Sequence, residues 1–128
     1  MNSTKPLPPL NVPALLARYR LQPSKGLGQN FLTDDGVLAE IVHAAGVDKT
    51  SVVLEIGPGL GSLTRRLAAE ASQVIAVELD RKMIPVLNET LAPFSNVAIV
   101  QSDILAYDPC DAFAGESYCS VLDRKSVV

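Results

Sequence analysis

The sequence has few of the residues that build metal clusters, disulfide scaffolds and aromatic interfaces. It contains no tryptophan, one histidine and two cysteines in 128 residues. Cys110 and Cys119 form no second pair, and His43 is isolated from them. This is no zinc-ligand pattern and no reason to invoke a disulfide, so we expect no metal site and a reducing, cytoplasmic setting. No run of 18 apolar residues occurs, so we also expect no membrane-spanning segment.

Acidic residues are missing from the first 30 positions. This part contains four basic residues, whereas positions 31–128 contain seven basic and fourteen acidic residues, so the net charge of −3 divides into +4 and −7. A basic arm ahead of an acidic body suits contact with phosphate groups. An uncommitted solvated tail explains the same charges equally well. The four basic residues of the arm are Lys5, Arg18, Arg20 and Lys25.

The most informative stretch is residues 52–64, an apolar run followed by three closely spaced glycines. Four of the five residues from Val52 to Ile56 are aliphatic, which predicts a buried parallel strand. The glycines let the backbone pass close to a ligand, and Ser62 is expected to cap a helix that runs to about Glu70. Strand, glycine turn and helix together indicate a nucleotide-cofactor loop at the carboxyl end of a strand.

The glycine spacing decides which cofactor is expected. A dinucleotide site requires Gly-x-Gly-x-x-Gly, and here the third glycine, Gly61, comes one residue early. Glu55 precedes Gly57 by two positions, which is unfavourable beside a pyrophosphate but suits a ligand that carries an amine or a sulfonium. The pattern acid-x-Gly-x-Gly-x-Gly resembles motif I of the S-adenosylmethionine (SAM)-dependent methyltransferases. A nicotinamide-dependent oxidoreductase and a strand–turn–helix without any ligand are the alternatives.

The rest of the chain repeats the strand–helix unit, which predicts an α/β fold with a doubly wound parallel sheet. We expect residues 1–24 to form a basic arm with a short helix, and residues 25–128 to form the N-terminal part of the α/β domain. Thr33, Asp34 or Asp35 is expected to begin a helix that ends at Gly46. Pro85 predicts that the helix after Asp80 starts late or kinks. Further strands are expected at 74–77 and 97–100, a loop at 108–124, and the opening of a fourth strand at 125–128.

Carboxylates follow the second and third predicted strands, at the edge where the glycine turn also lies. Glu78 comes about twenty residues after the turn, where a carboxylate accepts the hydroxyl groups of a ribose. Asp103 is placed to accept the exocyclic amine of an adenine, with the Ile104 N–H donating to a ring nitrogen. A nucleoside held between two carboxylates, with its sulfonium near Glu55, suits SAM better than ATP.

Several motifs together are similar to the KsgA-type rRNA adenine N6-dimethyltransferase family, over about residues 14–107. The resemblance implies a Rossmann-like SAM-dependent methyltransferase fold, with dimethylation of two adjacent adenines in the 3′-terminal hairpin region of small-subunit (16S) rRNA during ribosome biogenesis. It also implies cofactor-binding roles for Asn30, Leu32, Gly57, Gly59, Glu78 and Asp103. The matching segments are Lys25-x-x-Gly28-Gln29-Asn30-Phe31-Leu32, Leu54-Glu55-Ile56-Gly57-Pro58-Gly59-Leu60-Gly61, Val77-Glu78-Leu79-Asp80 and Gln101-Ser102-Asp103-Ile104-Leu105.

The family's Asn-Leu-Pro-Tyr motif, which follows its fourth strand, does not occur in these 128 residues. The last residues, Ser126-Val127-Val128, are apolar residues of the sort that precede the motif, so we expect the catalytic segment to belong after Val128. We therefore assign no catalytic residue in this chain and expect an N-terminal fragment with an incomplete parallel sheet. Such a fragment is expected to be inactive alone, and poorly soluble because one sheet edge is open.

The expected partner is small-subunit rRNA or the immature small ribosomal subunit, and the chain is expected to be a monomer. The alternatives are an Erm-type large-subunit rRNA methyltransferase and a non-catalytic RNA-binding ribosome-assembly factor.

Overall fold

The computed structural model describes residues 7–22, 34–107 and 120–123. Strands and helices alternate along these segments as the periodicity predicts. The elements in chain order are α1 (Val12–Arg18), α2 (Asp35–Ala44), β1 (Val52–Ile56), α3 (Ser62–Glu70), β2 (Gln73–Glu78), a 3-10 helix (Arg81–Met83), α4 (Ile84–Thr90), β3 (Val97–Gln101) and β4 (Ser120–Asp123).

The strands form one parallel sheet in the order β3-β2-β1-β4. β1 pairs with β2 from Val52 to Ile56 and with β4 on its other side. The order reverses at β1, because the chain first builds outward through β2 and β3 and then returns to the opposite side of β1. Parallel strands, with helices between β1 and β2 and between β2 and β3, confirm the predicted α/β fold with an incomplete parallel sheet.

Each face of the sheet buries a separate apolar cluster, because successive side chains of a strand point to opposite faces. Val53 and Val74 face α2 and α3, where Val42 and Leu67 are fully buried. The opposite face carries a second cluster that the segment after β3 covers through Ile104 and Tyr107; its strand members are Val52, Leu54, Ile75 and Val77.

The helix after β1 begins differently from the prediction. Ser62 was expected as its N-cap, but Ser62 is the first helical residue and Gly61 occupies the cap position at φ 91°. No side chain caps this end of α3. Left-handed backbone at the cap position favours glycine over serine, so the conformation of the turn overrides the capping preference of Ser62.

The fourth strand is also displaced from its predicted place. A loop was expected at 108–124, but residues 120–123 form β4, which pairs with β1 over four positions from Val53 to Ile56. The strand predicted to open at 125–128 and run to Val128 lies outside the described residues. The expectation that β1 keeps an open edge, covered by three residues at best, is therefore wrong, and with it the reason given for poor solubility.

The partner strand of β1 was therefore predicted at the wrong residues. The pairing that was expected of the last residues belongs to residues 120–123, where β4 already lies against β1 in parallel register. The loop-like composition of the stretch before them concealed this strand, because a four-residue strand is too short to show a periodic pattern. Whether a catalytic segment belongs after Val128 is a separate prediction, which the fold does not test.

The positions of Pro85 and Asp34 agree with the predictions from the sequence. Pro85 lies in the first turn of α4, which starts only after the 3-10 helix, so the predicted late start is confirmed. Asp34 caps α2 by accepting from the Gly36 N–H at 2.8 Å. No helix in the described ranges is both long and apolar enough to cross a membrane.

Candidate active site

The candidate site lies at the carboxyl edge of the sheet, where β1, β2 and β3 end side by side. The Gly57 N–H donates to the carbonyl of Val77 at 2.9 Å, and the Ser102 N–H donates to the carbonyl of Glu78 at 3.0 Å. These two bonds connect the glycine turn to the end of β2 and the end of β2 to the segment after β3. The structure thus brings Gly57, Glu78 and the Asp103 segment to neighbouring strand ends.

The glycines of the turn have different surroundings. Gly57, Gly59 and Gly61 all have positive φ, at 70°, 63° and 91°. A Cβ on Gly57 would meet no atom of the described residues within 4 Å, whereas a Cβ on Gly61 would lie 2.8 Å from Oγ1 of Thr90. Gly57 therefore borders open space in which a ligand can lie against the backbone, and Gly61 permits the close approach of α3 and α4.

The buried side chain of Glu55 connects β1 to α3, on either side of the glycine turn. Its side chain is fully buried, and one of its carboxylate oxygens accepts a hydrogen bond from the hydroxyl of Thr64 on α3. Sequence reasoning placed this carboxylate beside a sulfonium, but the structure places it inside the domain between β1 and α3. Thr64 was not singled out, although it lies nine residues after Glu55 on the helix that the turn begins.

Glu78 is held in place at the end of β2. It is 8% exposed, and its Oε2 accepts from the Asp80 N–H at 2.9 Å. The Gln101 side chain donates to the carbonyl of Leu79 at 3.1 Å, which fixes the segment that follows. A buried carboxylate at a strand end, oriented by a backbone N–H, is suited to accept hydroxyl groups of a ligand.

Asp103 follows β3 in an exposed turn. Its Oδ1 accepts from the Leu105 N–H at 2.9 Å, and its carbonyl accepts from the Ala106 N–H at the same distance. Ile104 packs beneath it against the second apolar cluster. The turn therefore holds a carboxylate at the edge of the sheet. Asn30 and Leu32, the other two predicted cofactor contacts, lie outside the described residues, as does Val128.

A buried ion pair outside the predicted set joins α2 to α3. The guanidinium of Arg66 is 1% exposed; its Nε donates to Oδ1 of Asp35 at 3.0 Å, and its Nη2 donates to Oδ2. The Leu7 N–H also donates to Asp35 Oδ2, at 3.0 Å. Burial of the carboxyl opposes ionisation, but the hydrogen bonds from Arg66 and Leu7 and the charge of Arg66 outweigh it and lower the pKa of Asp35. The sequence around Arg66 gave no indication of this pair, because Asp35 lies 31 positions away in the chain.

Histidine and carboxylates do not assemble into a metal site in the described ranges, where no group of three such side chains is close enough to hold an ion. His43 lies at the surface of α2, 3.7 Å from a carboxylate oxygen of Glu70. His43 and Glu70 thus form a contact between α2 and α3.

Solved structures of methyltransferases share this fold. An RNA methyltransferase from Salinibacter ruber, in complex with S-adenosyl-L-homocysteine, aligns with a TM-score of 0.56 at 22% identity, over 64% of this chain and 56% of that one. The dimethyladenosine transferase from Plasmodium falciparum gives 0.56 at 28% identity, over 69% and 31% of the two chains. The 23S rRNA methyltransferase ErmE gives 0.57 at 40% identity, over 62% and 33%. The fold is a partial Rossmann-like fold of the SAM-dependent methyltransferase class.

Sequence comparison identifies the family within that class. Residues 21–119 match the family "Ribosomal RNA adenine dimethylase", and the chain belongs to this family. The ribosomal RNA small subunit methyltransferase A of Macrococcus caseolyticus (strain JCSC5402) is 48% identical over 120 residues, which is 94% of this chain and 40% of the relative. The protein of the same name from Staphylococcus carnosus (strain TM300) is 40% identical over 128 residues, the whole of this chain and 43% of the relative. The chain therefore spans less than half the length of these relatives.

Proposed function

We propose that this chain forms the cofactor-binding part of an rRNA adenine N6-dimethyltransferase that uses SAM and acts on small-subunit rRNA. The observation that carries the proposal is the convergence of Gly57, Glu78 and Asp103 on neighbouring strand ends in a member of this family. Both curated relatives compared above are named as small-subunit enzymes.

The residues at the sheet edge fit a nucleoside cofactor. The open space at Gly57 leaves room for a ligand against the backbone, and the oriented carboxylate of Glu78 suits ribose hydroxyl groups. Asp103 and the Ile104 N–H suit the amine and a ring nitrogen of an adenine. We assign the remaining predicted contacts, Asn30, Leu32 and Gly59, to the same cofactor on the strength of the family resemblance.

Methyl transfer to an adenine N6 also requires contacts to the target base, which these residues do not provide. The lone pair of an adenine N6 is delocalised into the ring, so the nitrogen is a poor nucleophile. When bound, SAM supplies an electrophilic methyl group. In the family, the Asn side-chain oxygen and the Pro carbonyl of Asn-Leu-Pro-Tyr accept the N6 hydrogens while the aromatic ring stacks on the flipped base. No such segment occurs in the 128 residues up to Val128, so orientation of the target base, a major source of rate enhancement, is not provided here.

The purified 128-residue chain is therefore expected to transfer no methyl groups to small-subunit rRNA. The measurement is incorporation of tritium from methyl-labelled SAM into immature small subunits, with a complete family member as the positive control. Incorporation above the no-protein background would show that the chain contains a second, unrecognised site for the target base.

Glu78→Gln is expected to weaken SAM binding about tenfold or more. The amide keeps the shape of the side chain but replaces a charged acceptor of two hydroxyl groups, and hydrogen bonds to charged groups contribute about 1.5–3 kcal/mol. Isothermal titration of SAM into the purified chain gives the two dissociation constants directly.

Glu40→Gln is the matched control, because Glu40 is exposed on α2, away from the sheet edge, and loses the same charge. Equal affinity of the wild type and Glu78→Gln would remove Glu78 from the site. Titration with NAD tests the oxidoreductase alternative, since tighter binding of NAD than of SAM would favour that class.

From the family resemblance we also propose that the protein is a cytoplasmic monomer that acts during ribosome assembly. One observation favours an Erm-type enzyme instead, the 40% identity to ErmE over 62% of the chain. The identity to small-subunit relatives extends over a larger share, and the Pro58-Gly59-Leu60-Gly61 form of the turn favours them. Binding of the chain to small-subunit RNA irrespective of SAM would support the non-catalytic assembly factor.

A further inference from the structure

A cleft of about 220 Å³ lies between α1 and the pair formed by α3 and α4, next to Gly61 at the end of the glycine turn. Its walls are apolar where Leu10, Leu15 and Pro93 meet, and polar where Arg65 of α3 and Thr90 of α4 contribute. Thr90 is 5% exposed. The cleft therefore combines apolar walls with hydrogen-bonding side chains, among them those of Arg65 and Thr90.

Two polar atoms at this cleft lack partners in the part of the chain that the structure describes. The Nε of Arg65 and the Oγ1 of Thr90 are both buried and make no hydrogen bond. Unsatisfied buried polar groups are rare in folded proteins, and each one is costly unless a ligand or water occupies it. The neighbouring Arg66 differs, because Asp35 and Glu70 pair with it.

The charge at the cleft favours an anion. Among the described residues of its walls, Arg65 and Arg18 are basic and Glu89 is acidic, so these residues together carry one net positive charge. Both oxygens of Glu89 are engaged, since Arg18 donates to Oε2 and the Tyr19 hydroxyl donates to Oε1 at 2.5 Å. Burial lowers the pKa of Arg65, an effect that the charge of Arg66 reinforces and Asp35 opposes. The Arg65 guanidinium is thus a partly desolvated cation that forms no ion pair with a carboxylate of the described residues.

We propose that this cleft binds a phosphate group, with the Arg65 Nε–H and the Thr90 hydroxyl as donors. A phosphodiester of an RNA backbone and free phosphate share this chemistry, and the volume of the cleft admits the sugar attached to a phosphodiester. The choice of RNA as the source rests on the proposed function, whereas the phosphate site itself does not. An arginine fork and a hydroxyl are a common combination for phosphate oxygens.

The test follows the Arg65 Nε–H cross-peak in ¹H–¹⁵N spectra of the wild-type chain. Titration with inorganic phosphate, against sodium chloride of equal ionic strength, is expected to shift this peak with saturation. A short single-stranded RNA is expected to produce the same shift if the site takes backbone phosphate, whereas a response to phosphate alone assigns the site to the free anion. A peak that neither ligand moves overturns the proposal.

Variants separate the site from general charge effects. By calorimetry, Arg65→Gln is expected to weaken phosphate binding about tenfold or more, and Thr90→Val to weaken it about fivefold. Lys49→Gln loses the same charge outside the cleft and is expected to bind phosphate as the wild type does.

Arg65→Lys keeps the charge without the Nε–H and covers the case in which Arg65→Gln fails to fold. SAM affinity is expected to be unchanged in Arg65→Lys, so failure here and failure of the proposed function are distinguishable.

Discussion

Gly61→Ala is expected to lower the free energy of unfolding by about 2–5 kcal/mol. Two costs combine: left-handed backbone for a residue with a Cβ costs about 1–2 kcal/mol, and overpacking between two helices costs about 1–3 kcal/mol. The added methyl would lie 2.8 Å from Oγ1 of Thr90 and 3.4 Å from Cδ2 of Leu87. Thr90 is 5% exposed and Leu87 is fully buried, so neither side chain has solvent into which to move.

Gly57→Ala is the matched control for that prediction. It introduces the same methyl group at a similar φ of 70°, but no atom of the described residues lies within 4 Å of the new Cβ. Only the backbone term remains, so about 1–2 kcal/mol is expected. Urea unfolding followed by circular dichroism measures both values, and Thr90→Ala in the Gly61→Ala background is expected to recover part of the loss. Equal destabilisation at the two glycines would show that α3 and α4 are not closely packed at Gly61.

Asp35→Asn is expected to cost about 3 kcal/mol. The substitution removes the carboxylate that faces the guanidinium of Arg66, which is 1% exposed, and leaves a buried cation whose contact with the Glu70 carboxylate is longer, at 3.4 Å. Breaking a buried ion pair by removal of one partner typically costs about 3–5 kcal/mol. The Asp35 side chain is 26% exposed, which places the expected loss at the lower end of that range.

The same pair gives the stability a specific pH dependence. Because the folded-state pKa of Asp35 lies below its ordinary value of 3.8, the carboxylate stabilises the fold above that value. The contribution is lost as the pH falls through the folded-state pKa. The wild type is therefore expected to lose stability more steeply than Asp35→Asn below about pH 4, as urea midpoints measured at successive pH values would show.

A double-mutant cycle separates pairing from packing. Arg66→Met in the Asp35→Asn background removes the buried charge that has lost the Asp35 carboxylate, so the double variant is expected to be more stable than Asp35→Asn alone. Glu40→Gln, an exposed carboxylate on the same helix, is expected to change stability by less than about 0.5 kcal/mol. Additive effects of Asp35→Asn and Arg66→Met would show that the two side chains do not interact in solution.

The sequence was sufficient for the strands that carry the candidate site. Residues 52–56, 74–77 and 97–100 are short apolar runs, and such runs between helical patterns predict parallel strands. Pro85 also predicted the late start of α4, because proline is compatible with only the first turn of a helix. Local composition determines these features, so no knowledge of distant contacts was needed. The roles of the individual site residues stay predictions.

Features that depend on distant residues could not be predicted in this way. β4 is four residues long and lies in a stretch of loop-like composition, so its pairing with β1 leaves no periodic signal. The Asp35–Arg66 pair and the contact between Thr64 and Glu55 join different elements through the folded core. The prediction for Ser62 failed for a different reason. A local capping preference favoured Ser62 as the N-cap, but the left-handed backbone at the cap position is occupied by Gly61.

The position of β4 bears on how the polypeptide folds while it is being synthesised. Val53 in the central strand β1 pairs with Ser120, which is synthesised much later than Val53. At translation rates of about 5–20 residues per second, that neighbour emerges on the order of ten seconds later. Until then, the edge of β1 that β4 covers in the folded domain lacks its neighbour, so residues 52–56 are expected to be open to pairing with other chains during synthesis.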